Sequence, residues 1–192
     1  MKSLFISTYS QLITIGLLDN GKLFKVKENI SDRTHSIHLI PLINEILKEN
    51  NYQIKDINEI IVINGPGSFT GGRLGITVAK TLAYTLNIPI KTINTLDALA
   101  ISNQDKKNKI ISIEDAKGAY FATYINNQLE GELKYLNQNE FNDFLNNHQD
   151  YLHITNQKLD LELIYDYLKE HEYINPHQVN PVYIKTIEVQ ND

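Results

Sequence analysis

The chain has no cysteine and no tryptophan among its 192 residues. Without thiols it holds neither a disulfide nor a cysteine-based zinc site. It also lacks a basic run: no cluster of Lys or Arg is longer than Lys106-Lys107, and the net charge is −5, with a pI of about 5.7. A protein that binds RNA unaided usually carries a basic face, so any RNA contact here is expected to be shared with a more basic partner. No apolar run approaches the ~18 residues of a membrane span. The N-terminus runs directly into a strand pattern with no signal peptide. A soluble, cytoplasmic protein is the expectation. The missing tryptophan, set beside abundant asparagine, isoleucine and lysine, carries no functional information.

What is present is enough for a core, at 42% hydrophobic residues. The length predicts one large or two small domains. Leu4–Ile6, Leu12–Leu18 and Leu23–Lys27 read as strands of an antiparallel meander, the last two joined by the turn signal Asp19-Asn20-Gly21-Lys22. Ser31-Asp32-Arg33 reads as a loop, and a helix follows to about Lys48, capped by Thr34 or Ser36. Strand 60–63, a long helix to Leu86, strand 88–93 and a short helix from Leu96 to Ile101 capped by Thr95 complete a first half, residues 1–102. The polar stretch Asn103–Asn108 reads as a linker. A smaller second half, 109–192, is expected to hold strands at 110–113, 119–125 and 132–136. A helix near 138–147, a short strand at 151–154 and helical spacing from Leu159 to Leu168 follow.

The most informative segment is Ile60–Leu86. Ile60, Ile61, Val62 and Ile63 run into Asn64 and the loop Gly65-Pro66-Gly67-Ser68, and a helix then opens with Thr70 as its expected N-cap. Strand, glycine-rich turn and helix in this order place a site at the turn of an α/β sheet. The loop is not a Walker loop, because no lysine follows at the required spacing. An anion at the helix start is physically allowed, although the nearest cation, Arg73, lies a turn into the helix. Gly71, Gly75, Ala79 and Ala83 recur every fourth residue and form one small-residue stripe. Glycine costs a helix about 1 kcal/mol relative to alanine, so such a stripe implies another backbone close by. That backbone belongs either to the domain's own core or to a second subunit. The preceding helix carries Ile37, Leu39, Ile40, Leu42, Ile43, Ile46 and Leu47, more apolar surface than a single core contact needs. Two helices with a spare face favour a subunit interface.

Other constellations are weaker. His35 and His38 share a helix face at the spacing of a metal pair, but no third ligand is evident. Asp115, just before Gly118, reads as a turn residue. Ser68 lacks the G-x-S-x-G setting of a nucleophile.

GPGSFTGGRLG, residues 65–75, strongly resembles the signature of the TsaB (YeaZ) family. The resemblance extends to Leu4–Leu18, to His35-Ser36 with Leu39, Pro41 and Leu42, to Ile88-Pro89 and Thr95–Ala100, to Asp115-Ala116-Lys117 with Tyr120, and to Pro181-Val182-Tyr183-Ile184-Lys185. It is good to about Tyr124 and thin from there to Asn180. Ser7 stands where the family commonly has aspartate, Gly72 where it has an apolar residue, and Lys117 where it has arginine. Serine cannot hold Mg²⁺ or orient an attacking water as a carboxylate does.

The resemblance implies an α/β fold of the actin-like, sugar-kinase-like ATPase type, two ribonuclease-H-like halves with the second truncated. It implies a non-catalytic subunit that pairs with a TsaD-type catalytic subunit, which adds threonylcarbamoyl to the adenosine beside the tRNA anticodon. A TsaE-type ATPase joins them, and the chain pairs with itself when alone. It has no cofactor of its own, ATP acting on the partner subunits, and meets tRNA only through the complex. The partner contact is assigned to His35, Leu39, Ile43, Gly71, Gly75, Ala79 and Ala83 on the two helices. The competing readings are a stand-alone small ATPase or kinase of the same fold, and a homodimeric binding protein with no tRNA role.

Overall fold

The computed structural model describes residues 1–31, 34–155 and 157–184. Asp32 and Arg33 of the expected loop, and Lys185 of the closing motif, lie outside the described residues. Strands β1 (Lys2–Ser7), β2 (Leu12–Asp19) and β3 (Lys22–Ile30) form the expected antiparallel meander. Asn20 and Gly21 both take positive φ, 49° and 79°, the conformation that a tight two-residue hairpin demands and that Asn-Gly tolerates best. Strands β4 (Glu59–Ile63) and β5 (Ile90–Ile93) then add in parallel, giving the order β3-β2-β1-β4-β5.

Alternation of side chains decides what covers this sheet. Leu4, Ile6, Ile13, Ile15, Ile60 and Val62 point to one face, under helices α1 (His35–Glu49) and α2 (Phe69–Leu86). Phe5, Leu18, Ile61, Ile63 and Ile93 point to the other. Strand β4 is buried along its whole length, which is why it reads as an unbroken apolar run rather than an alternating one. Its one charged residue, Glu59, is buried and accepts a hydrogen bond from Ser3 Oγ on the neighbouring strand.

The second half repeats the plan in shorter form. Strands β6 (Lys109–Glu114), β7 (Gly118–Ile125) and β8 (Gln128–Asn137) make a meander, and β9 (Leu152–Ile154) joins β6 in parallel, in the order β8-β7-β6-β9. Helix α4 (Gln138–Asn146) lays Phe141 over Ile110, Ala119 and Phe121. The two halves are thus ribonuclease-H-like, a five-stranded sheet followed by a four-stranded one, in the actin-like arrangement.

Helix α3 (Thr95–Ser102) lies between them. Ala98 joins the core of the first sheet, while Leu96, Leu99 and Ala100 join Ile111, Ala122 and Tyr124 of the second. Its N-cap is Asn94, whose side chain accepts from Asp97 N at 2.9 Å, not Thr95. Thr95 is free to donate to Pro66 O at 2.6 Å and so ties α3 to the glycine loop.

Beyond β9 the chain crosses back. Helix α5 (Leu161–Leu168) packs Leu161, Ile164 and Leu168 on the second face of the first sheet, beside α3. Buried Lys91 of β5 donates to the carbonyls of Leu168 and Lys169 at 2.6 and 3.1 Å, a cation at the end of α5 where free carbonyls need donors. Ile174 bridges Ile90, and Val182 N donates to Asn64 O at 2.8 Å. Of the stretch expected to form the second half, Leu161, Ile164, Leu168, Ile174 and Val179 therefore lie against the first sheet. Helix α3 is too short to cover that face alone.

The Tyr124 hydroxyl donates to Asp97 Oδ1 at 2.6 Å. Burial, reinforced by the Asp97 carboxylate, pushes the phenol far above its ordinary value, so it stays a neutral donor joining β7 to α3. Tyr124→Phe is expected to lower stability by about 1.5–3 kcal/mol, the range for a hydrogen bond to a charged group. Urea denaturation followed by circular dichroism measures it; an unchanged midpoint would remove this bond from the account of how the halves are joined.

Candidate functional site

The glycine loop and the two helices beside it carry the expected site. Helix α2 begins at Phe69, one residue before the expected cap. The N-cap is Ser68, whose Oγ accepts from Gly71 N at 3.2 Å. Gly67 has φ 146°, and a Cβ there would stand 2.3 Å from Tyr9 O. Only glycine permits this approach, which lets Ser68 N donate to Tyr9 O at 2.5 Å. The β1–β2 turn is thereby pinned to the loop.

The same turn explains the small-residue stripe. A Cβ on Gly71 would meet Thr8 O at 2.5 Å, and one on Gly75 would meet Thr8 Oγ1 at 2.2 Å. Thr8 is fully buried and donates to Gly71 O at 2.7 Å. Further along, Ala79 and Ala83, 0% and 1% exposed, pack in the core of the first sheet. The close backbone inferred from the stripe is the chain's own hairpin. The assignment of Gly71, Gly75, Ala79 and Ala83 to a partner is corrected accordingly: they face inward. Leu39 and Ile43 are buried in the same core at 0% and 3%. His35 is buried too, and its Nε2 donates to Ser10 O at 2.7 Å. It steadies the hairpin and presents nothing to a partner. Periodicity placed these residues correctly on one face of each helix, but it does not say which face looks outward.

The outward face is made of residues that the sequence reading passed over or named only in part. On α1, Ile37 is 65% exposed, Ile40 44%, and Pro41 is exposed beside them. Pro41 sits inside the helix and offers no N–H to the carbonyl of Ile37. On α2, Leu74 and Val78 are only partly buried, and Phe69 and Tyr84 are exposed. The signal for Ile37 and Ile40 was the apolar arc of α1, which exceeds one core contact.

The groups weighed for chemistry do not assemble. Ser7 is fully buried at the end of β1 with its Oγ unpartnered. Arg73 is engaged by aromatic side chains. Its guanidinium stacks over the Phe69 ring at 3.5 Å, and its Nε donates to the Tyr183 hydroxyl at 2.8 Å. Asp115 Oδ1 accepts from the backbone N–H groups of Lys117 and Gly118 and from the Tyr135 hydroxyl, the turn role expected of it. Among the described residues, no three His, Cys, Asp or Glu side chains converge as metal ligands. No helix among them is long and apolar enough to cross a membrane.

These features define a class: an actin-like pair of halves whose first hairpin holds serine and whose glycine loop is packed by the chain itself. A family model described as TsaD, tRNA N6-adenosine threonylcarbamoyltransferase, matches residues 26–141. The chain belongs to this family, among its TsaB (YeaZ) members. It is 33% identical over 117 residues to the tRNA threonylcarbamoyladenosine biosynthesis protein TsaB of Bacillus subtilis, covering 61% of this chain and 51% of that protein. The Escherichia coli TsaB is 29% identical over 128 residues, 65% of this chain and 55% of that one. The matched stretch thus spans about half the length of these curated relatives. The solved structure of YeaZ from Pseudomonas aeruginosa superposes with a TM-score of 0.79 over 95% of this chain and 100% of that one, at 19% identity. That likeness concerns the fold alone.

The stripe yields a paired test within one helix. Gly75→Ala forces a methyl against a β-branched side chain that cannot swing away. It should cost about 1–3 kcal/mol, as overpacking does. A Cβ on Gly72 meets nothing within 4 Å, so Gly72→Ala should gain up to about 1 kcal/mol of helix propensity. Thermal melts of the two variants should move in opposite directions; movement together would contradict the packing described.

Proposed function

We propose that the chain is a non-catalytic subunit of a tRNA-modifying assembly. It pairs with a TsaD-type catalytic subunit and supports the transfer of threonylcarbamoyl to the adenosine beside the anticodon. A TsaE-type ATPase joins the complex, and the chain pairs with itself in the absence of its partner. Family membership supports the pathway. Ser7 at the place of the expected carboxylate, and a glycine loop without lysine, support the lack of phosphoryl chemistry. Net charge −5 supports contact with tRNA only through the complex.

The observation that carries the pairing is the uncovered apolar face of α1 and α2. Ile37 and Ile40 stand in solvent above a helix whose other side is already fully used by the core. Covering each such side chain contributes about 1.5–3 kcal/mol when burial is complete. The interface is therefore assigned to Ile37, Ile40 and Pro41 with Leu74 and Val78, in place of the inward residues first assigned.

Two substitutions separate this face from the core. Ile40→Arg adds a charge to an exposed site, where stability changes stay within about 0.5 kcal/mol. It should remain folded while its affinity for a TsaD-type subunit, and for itself, drops tenfold or more, equivalent to about 1.4 kcal/mol. Ala79→Arg, in the core, should melt far lower or be insoluble. Light scattering with thermal melting reads both. An Ile40→Arg variant that still dimerises and still binds the partner overturns the assignment.

The pure chain should also release no phosphate from ATP above a blank, with or without Mg²⁺. Robust turnover abolished by a change in the glycine loop would favour the stand-alone ATPase reading instead.

A further inference from the structure

A small cavity of about 260 Å³ lies where β5 runs out, α3 begins and α5 ends. Asn64 and Val182 line both this cavity and the wider opening between the halves. None of its lining residues comes from the second sheet, and nothing in the subunit role uses it. Sites for whole small molecules usually run from about 300 to 1,000 Å³. This one is sized for a single functional group on a short chain.

The lining residues bring hydrogen-bond acceptors without donors to match. Among the described residues, no cation lies within ion-pair distance of Asp97. Its Oδ1 accepts from the Tyr124 hydroxyl at 2.6 Å and its Oδ2 from Asn94 Nδ2. An ionised carboxylate offers about four acceptor positions, so two stay open. Burial and the Asp97 carboxylate push the Tyr167 phenol above its ordinary value, which makes the two groups neighbours. Asn64 Nδ2 donates to Asn180 O at 3.3 Å, while its buried Oδ1 has no partner. His171 Nδ1 donates to Tyr167 O at 2.9 Å, since a carbonyl can only accept. In the neutral ring that leaves a lone pair on Nε2. The rings of Tyr167 and His171 lie side by side, with centroids 4.5 Å apart.

Such a set does not suit an anion. The amides at the start of α3 are already used: Thr95 N donates to Gly65 O, Asp97 N to Asn94 Oδ1 and Ala98 N to Asn94 O. It does not make a metal centre either, because no three His, Cys, Asp or Glu side chains converge among the described residues. A half-open carboxylate, a free amide oxygen and an imidazole lone pair beside aromatic rings match a guanidinium. That group carries five N–H donors in one plane and stacks its face on aromatic rings. We infer that the cavity binds one guanidinium group, which donates to Asp97, Asn64 and His171 and lies against Tyr167. The group can come from a free alkylguanidine or from an arginine side chain of another protein. Binding takes nothing from Ile37 or Ile40, so it stands or falls independently of the subunit pairing.

NMR titration of the isotope-labelled full chain tests it with three probes. These are butylguanidine, a blocked tripeptide with arginine between two glycines, and the same peptide with neutral citrulline in place of arginine. The two guanidinium probes should bind saturably and shift amides at the end of α5 and at the start of α3. The citrulline peptide has the same shape without the charge, and should bind roughly tenfold or more weakly than the arginine peptide. An arginine peptide roughly tenfold or more tighter than butylguanidine identifies a protein side chain as the source; a smaller difference identifies the free compound. Asp97→Asn keeps an acceptor for Tyr124 but removes the charge, and His171→Ala removes an exposed ring. Each should weaken the guanidinium probes roughly threefold or more, with melting temperatures checking the fold; if Asp97→Asn does not fold, His171→Ala decides. Citrulline binding as tightly as arginine, no saturable binding of either guanidinium probe at millimolar concentration, shifts confined to other parts of the chain, or unchanged affinity in the folded variants would overturn the inference.

Discussion

Everything in this protein is hung on helix α3. It has eight residues and is buried on two sides, so each half of the molecule uses it as part of its own core. An isolated helix of that length is not stable in water; it exists because both sheets pack on it. Its polar groups are bound just as tightly. Asn94 caps the start, Thr95 reaches the glycine loop, and Ser102 receives Asp160 N at the entrance to α5. The orientation of the two halves, and hence the cleft between them, follows from that one shared element.

The second constraint is the docking of the β1–β2 turn on α2. Helix α2 gives up propensity at three glycines in its first turns, and two of those glycines admit Thr8 to within contact of the helix backbone. Gly67 admits Tyr9 in the same way. The space between the first hairpin and the start of α2 is filled by the chain's own backbone and by buried Thr8. The cost is offset locally, by hydrogen bonds from Thr8 and Ser68 and by the buried methyls of Ala79 and Ala83. The glycine signature thus reports how the loop is built.

The outer side of α1 exposes the apolar Ile37, Ile40 and Pro41. The cleft between the halves is lined by Arg73, Lys117, Tyr120 and Tyr135. The C-terminal segment links the two regions: Lys80 on α2 donates to the carbonyls of His177 and Val179, and Tyr183 holds Arg73 at the cleft's edge.

Much of the fold was legible in the chain. Apolar runs marked the strands of the first meander, Asn20-Gly21 fixed its turn, and the β-formers from Ile60 to Ile63 announced the next strand. The polar stretch Asn103–Asn108 and the helix expected near 138–147 marked the second half. The family signature at 65–75 is a local pattern and was read directly. Sequence alone therefore determined the elements, their order and the kinship. It also determined that two helices carry small or apolar residues in excess. Tertiary structure decided what those residues face. Helical period assigns residues to a side, but whether that side meets a hairpin eight residues from the N-terminus or another subunit depends on contacts between distant segments. For the same reason the return of α5 to the first sheet was invisible, since its spacing shows an apolar face but not which sheet needs it. The cleft was hidden too. Arg73, Lys117 and Tyr183 are far apart in the chain, and only the packing of two sheets on one short helix brings them to the same opening.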